Sequence, residues 1–158
     1  MNKFIKSSLL AFTLITAIVL NGCDAFESFQ FGLPISFIID AEGDENSNPA
    51  GSESIDLGAD ATYQDYSDKL NSIVFVEAHL VTLEIDPSNV DVVGQGQLRL
   101  FEGNAASPAG ELFTHTTPAG LNPADYMTPN SYKLGLTQLE IDKINTSLAN
   151  GQTQFFGD

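Results

Sequence analysis

Four groups of side chains in this 158-residue chain have types and spacings that could do chemistry. The first is a run of oxygen ligands. Counting from Glu42, side-chain oxygens recur at Glu42, Asp44, Asn46 and Asn48, Glu53 closes the set at the twelfth position, and Asp40 stands just ahead. A hard cation such as Ca²⁺ takes about six to eight oxygens, and alternation of this kind can wrap them around one ion. The second group is Glu77 with His79, an i, i+2 pair that a strand would put on one face and that could give two metal ligands. The third is His115 in Thr114-His115-Thr116-Thr117, read as a histidine on the surface of a strand. The fourth is Cys23, the sole cysteine, so no disulfide can form within one chain and the fold must stand on its core.

None of these completes a site by sequence alone. The stretch 42–53 resembles a calcium-binding loop, with two departures: Glu rather than Asp at the first position, and Ser47 where the EF-hand turn needs glycine. Its flanks read as strands rather than helices. A solvated acidic loop is the plainer expectation and calcium the alternative. Glu77 and His79 lack an identifiable third ligand, so a half-exposed strand face is expected there. No Gly-x-Ser-x-Gly elbow and no histidine in a hydrolase motif is present. Two carboxylates could serve a glycosidase, but 21 acidic residues single out no pair. No catalytic residue is therefore assigned.

Charge narrows the partners. All 21 Asp and Glu follow Cys23, and only Lys69, Arg99, Lys133 and Lys143 oppose them there, which leaves a formal charge of −17 on that part of the chain. Such a field repels nucleic-acid phosphates and anionic headgroups. It suits cations, basic partners or a salty habitat.

The N-terminus carries the clearest signal. Lys3 and Lys6 precede an apolar stretch over 9–20, broken only by Thr13 and Thr16. About twelve residues make roughly 18 Å of helix against a hydrocarbon core of about 30 Å. The layout is that of an export signal rather than a permanent span. It ends in Leu20-Asn21-Gly22-Cys23. That tetrapeptide resembles the lipobox of bacterial lipoproteins at Leu20, Gly22 and Cys23, with Asn21 where Ala, Ser or Thr is commoner. The resemblance implies that diacylglycerol is attached to the Cys23 thiol and that a signal peptidase cuts before it. It also implies that the new amine is acylated. Two or three acyl chains, at about 0.8 kcal/mol per buried CH₂, hold a protein stably on a membrane. Residues 1–22 are then the signal peptide, and 23–28 the lipidated end with a short tether. Asp24–Ser28 reaches about 17 Å at most.

The remainder, 29–158, reads as one domain. Phe29, Phe31, Leu33, Ile35, Phe37 and Ile39 alternate without a miss, the strongest strand signal in the chain. Pro34 lies on the opposite face and removes a backbone donor, which predicts a sheet edge or a bulge. Further strands are predicted over 53–58, 71–86, 90–102, 111–117, 131–136 and 152–156. Val74, Val76, Ala78 and Leu80 give way to Val81, Leu83 and Ile85 along 71–86, a change of face that predicts a bulge. A brief helix is expected over 61–70 behind Asp60. Another starts at the capping box Thr137-Gln138-Leu139-Glu140, is expected to bury Leu139, Ile144 and Leu148, and stops at Asn150-Gly151. The three prolines of 118–130 predict an irregular crossing.

The fold class expected is mainly β: an antiparallel β-sandwich of about seven strands with two short helices. The expected function is that of a lipid-anchored domain of the bacterial cell envelope, on the periplasmic side or the cell surface, with a binding or structural role. Its partners would be the membrane, through its anchor, and an envelope protein or glycan. A calcium-dependent adhesive module built on 40–53 and a carboxylate-based hydrolase are the alternatives.

Overall fold

A computed structural model describes residues 8–20, 29–41, 50–69 and 72–158. These form strands β1 (Ser8–Leu20), β2 (Phe29–Ala41), β3 (Glu53–Asp56), β4 (Ser72–Glu84), β5 (Gln97–Glu102), β6 (Glu111–Thr116), β7 (Tyr132–Lys133) and β8 (Gln154–Gly157). Two α-helices, α1 (Ala61–Tyr66) and α2 (Gln138–Ala149), lie among them. One sheet has the order β2-β1-β4-β7 and the other β3-β8-β5-β6, and every paired neighbour is antiparallel.

The two sheets share one core. Ile35, Phe37 and Ile39 of β2 and Phe75, Ala78 and Leu80 of β4 meet Leu98 and Leu100 of β5, Phe113 of β6 and Phe155 of β8. The mainly β, antiparallel architecture is the one the alternating pattern predicts. Among the described residues no helix is long and apolar enough to cross a membrane.

Each strand predicted beyond residue 28 forms, and β1 is additional to them. The stretch read as the export signal is the strand between β2 and β4, with Phe12 in register with both Phe37 and Leu80. Pro34 sits on β2, an outer strand of its sheet, as predicted. The Ile38 N–H donates to the Glu53 carboxylate. Backbone donors alternate along a strand, so Pro34, four residues away, withholds its donor on the same edge as Ile38.

Three expectations need correction. The segment 90–96 is not strand: a 3-10 turn over Pro87–Asn89 and an irregular run precede β5, which begins at Gln97. In α2, Leu139 is 68% exposed, and Ile144 and Leu148 carry the burial. In β4, the buried set is Phe75, Ala78, Leu80 and Thr82, while Val74 and Val76 face outward. The predicted change of face exists but falls earlier. Opposite β1 the register skips Val76, because Ile15 pairs with Glu77 and Thr16 with Phe75.

That bulge is held by α2. The Phe75 N–H donates to Asn145 Oδ1 at 2.7 Å. Thr137 and Glu140 close the capping box at the helix start. At the other end Gly151, with φ of 80°, takes the left-handed conformation that lets Gln152 N–H reach the Ser147 carbonyl. Replacing Asn145 by alanine leaves a partly buried amide without its acceptor. The expected loss is about 1–3 kcal/mol, to be read as a lower midpoint in thermal or urea unfolding.

Candidate functional site

The bulge at Val76 sets the two polar residues that follow it on the face turned away from the core. Ala78 and Leu80 point inward, so Glu77, His79 and Val81 point out. Strand β7 lies beside them, His79 opposite Lys133 and Leu80 opposite Tyr132. The segment before β7 is first held on the core side of the sheet, where Thr82 Oγ1 donates to the Pro123 carbonyl at 2.7 Å and the Tyr126 ring stands edge-on to Tyr132 at 5.4 Å. Past a turn in which Asn130 N–H donates to the Met127 carbonyl, residues 128–131 border the outward face. Between strand face and segment lies an open cleft of about 360 Å³, bounded by Glu77, His79 and Val81 on one side and Thr128–Ser131 on the other.

Three of its lining side chains, Glu77, His79 and Ser131, form a polar run that Lys133 extends from outside the cleft. Lys133 Nζ donates to Glu77 Oε2 at 2.6 Å. His79 Nδ1 and Ser131 Oγ share a hydrogen bond of 2.9 Å, whose direction follows the imidazole tautomer. His79 Nε2 lies 3.2 Å from Glu77 Oε1. That approach is off hydrogen-bond alignment and leaves the buried Nε2 without a hydrogen-bond partner. It is an ion pair only with a protonated imidazole. The four groups therefore run Ser131, His79, Glu77, Lys133, each touching the next.

The hydrogen bond from Lys133 holds the Glu77 carboxyl below its ordinary range, with a smaller contribution from His79 and with desolvation opposing. The sign follows directly. A carboxyl whose folded pKa is depressed adds stability above its ordinary pKa of about 4.3, and that stability is lost as pH falls through the lower folded value. In Lys133→Met the largest cause is removed. The Glu77 carboxyl carbon, followed by NMR, is expected to titrate at higher pH in the variant than in the parent chain. Equal midpoints would mean that Lys133 does not engage Glu77 in solution.

Of the residues singled out by sequence, Glu77 and His79 lie side by side as expected, and Ser131 and Lys133 join them. Neither of these two was identifiable beforehand, although the strand carrying them was predicted. His115 is not a free surface histidine: it is half-buried, with Nε2 3.4 Å from the Tyr132 hydroxyl and its ring 5.9 Å from the tyrosine ring. Cys23, Glu42, Asp44, Asn46 and Asn48 lie outside the described residues. Asp40 falls near the end of β2, and Glu53 opens β3 with its carboxylate on the Ile38 amide. Among the described residues no group of three or more His, Cys, Asp or Glu converges on one point.

No protein-family model, curated protein or solved structure matches this chain.

Proposed function

We propose that the chain is the precursor of a lipid-anchored protein of the bacterial cell envelope, and that its β domain binds a partner there rather than transforming a substrate. The observation that carries the location is Leu20-Asn21-Gly22-Cys23 at the end of an uncharged apolar run, with every acidic residue placed after it. The test is the mass of the N-terminal peptide of the protein extracted from bacterial membranes. It is expected to begin at Cys23 and to carry acyl groups. A peptide that begins at Met1 or at another residue, without lipid, overturns the reading.

The cleft beside β4 is the contact surface we assign to the domain. Val81 and Pro129 give it carbon walls, and Glu77, His79, Ser131 and Asn130 give it a polar rim. Small numbers of polar groups on an apolar wall suit a sugar ring or an extended peptide. The lysine and the carboxylate already neutralise each other, which suits recognition of an uncharged ligand, such as an envelope glycan.

One observation favours a second reading. Ser131, His79 and Glu77 stand in the order of a nucleophile, a base and a carboxylate that stabilises the imidazolium. On that reading His79 Nδ1 takes the Ser131 proton as the hydroxyl oxygen adds to an ester carbonyl, and it returns that proton to the alkoxide that leaves as the acyl-serine forms. An alkyl phosphonate ester that modifies activated serines separates the two. Under the binding reading Ser131 stays unlabelled after hours of exposure. Stoichiometric labelling of Ser131, lost in His79→Ala, would establish the hydrolase instead.

A further inference from the structure

We propose that processing vacates a strand-wide slot between β2 and β4, and that the mature domain takes into it an uncharged extended segment, apolar on one face, of another envelope protein. The proposal rests on the lipoprotein reading above. The structure itself seats an occupant there. Strand β1 fills the space, pairing with β2 along Ser8–Leu20 on one side and with β4 over Leu9–Val19 on the other. Those are residues the lipobox marks for removal.

Both walls are pinned by contacts that do not involve β1. Phe37 of β2 is fully buried against β8, so closely that a Cβ built on Gly157 would lie 3.0 Å from its ring. Ile38 holds Glu53 through its amide. On the other wall, Phe75 is tied to Asn145 of α2, and β4 is paired with β7. Direct closure would shift one wall sideways by a strand spacing of about 4.8 Å, pulling Phe37 out from under Gly157 or β4 away from α2. Because each wall is antiparallel to β1, β2 and β4 run parallel to each other. They would have to form a new parallel ladder.

The two edges of β2 differ. On its outer edge Pro34 gives no donor and Ile38 has the Glu53 carboxylate. On the edge toward β1, the alternation of donors leaves the amides of Ile35, Phe37 and Ile39 facing the slot. Nothing blunts that edge. The chemistry of the occupant follows from the neighbours. Ile35, Phe37, Ile39, Phe75, Ala78 and Leu80 flank the slot on the core side, and on the outer face the exposed Ile38, Val74 and Val76 alternate with Ser36, Glu77 and His79. A strand between them meets apolar side chains on its core face and a mixed set on its outer face, so it must be apolar at the core parity and uncharged at the other. Neither segment adjoining β2 is of that kind: 24–28 contains Asp24 and Glu27, and 42–49 contains Glu42, Asp44 and Glu45. The occupant is therefore a partner's strand, added by backbone pairing on both edges.

The test uses the acylated protein extracted from membranes in detergent, its N-terminal mass measured first. The probe is a synthetic peptide with the sequence of Ser8–Leu20, made soluble by terminal lysines. Without peptide, the amides of Ile35, Phe37 and Ile39 are expected to exchange on the order of 100-fold faster than those of β5 and β8. Peptide is expected to slow them to the rate of the core strands and to raise the melting midpoint by several degrees at saturation. The same peptide carrying Leu14→Pro lacks one donor of a doubly paired strand and should do neither. Slow exchange at those amides without peptide, together with an unchanged midpoint, would mean that β2 closes on β4, and the slot proposal falls while the lipoprotein reading stands. A mass that includes residues 1–22 would overturn both, since β1 would then remain in its own place.

Discussion

Replacing Cys23 by serine is expected to abolish fatty-acid incorporation completely and to leave residues 1–22 attached to the protein. The chemistry makes the effect all-or-none. A thiolate is a far better nucleophile than a neutral hydroxyl at neutral pH, and the lipobox resemblance makes the thioether of Cys23 the first step and cleavage the second. Without the thioether the second step has no substrate. Radiolabelled or alkynyl palmitate reads the first step, and intact mass reads the second. The parent protein should be labelled, and lighter than its precursor by the leader, after allowance for the added lipid. The variant should be unlabelled and unshortened. Equal labelling of the two would place the lipid elsewhere or refute the anchor. One acyl chain alone gives marginal, reversible membrane binding, whereas two or three hold a domain effectively permanently. Carbonate washing of membranes should therefore leave the parent in the pellet.

Replacing Phe37 by alanine is expected to lower the stability of the domain by about 3–5 kcal/mol. Phe37 is fully buried at the centre of the cluster that joins the two sheets. Its ring lies directly under Gly157, whose missing side chain is what lets β8 approach so closely. Removing the ring leaves a void that β8 and β2 cannot both collapse into. Domains of ordinary stability have about 5–15 kcal/mol in total, so the unfolding midpoint should fall by roughly 10–20 °C. A control sits next door. Ile38 is 47% exposed, and Ile38→Ser should change stability by no more than about 0.5 kcal/mol. A loss below about 1 kcal/mol for Phe37→Ala would mean that β2 does not occupy this position in the mature protein.

Much of this architecture was legible in the sequence, and what was not has physical causes. Strand β2 announced itself because one parity is apolar over six positions in a row and the other is not. The capping box of α2 is a local signal, complete within four residues, and it formed as written. Strand β4 was harder. Val74, Phe75 and Val76 are apolar at both parities, so hydrophobicity could not say which of them faces in. The pairing with β1, which skips Val76, decides that, and pairing register is not a local property. The candidate site divides the same way. Glu77 and His79 share a face through simple period-two spacing. Ser131 and Lys133 come to them from 52 and 56 residues away along the chain, just before and within β7, and which strand β7 pairs with is not a local property. Leu139 was misread because it stands in the first turn of α2, where helical spacing gives no hint of which side the sheet lies on.

The order of the second sheet has a consequence in time. Strand β8, formed by Gln154–Gly157, is paired on both sides, with β3 and with β5. Phe155 of β8 is fully buried in the shared core, and Arg99 of β5 clasps Asp158 through two hydrogen bonds of 2.7 Å. The middle of that sheet is thus supplied by residues a ribosome adds after all the others it must join. Until they emerge, β3 and β5 have nothing between them and Phe37 has no floor. A chain still being made therefore lacks the middle of that sheet, and β3 and β5 are joined only once β8 has emerged.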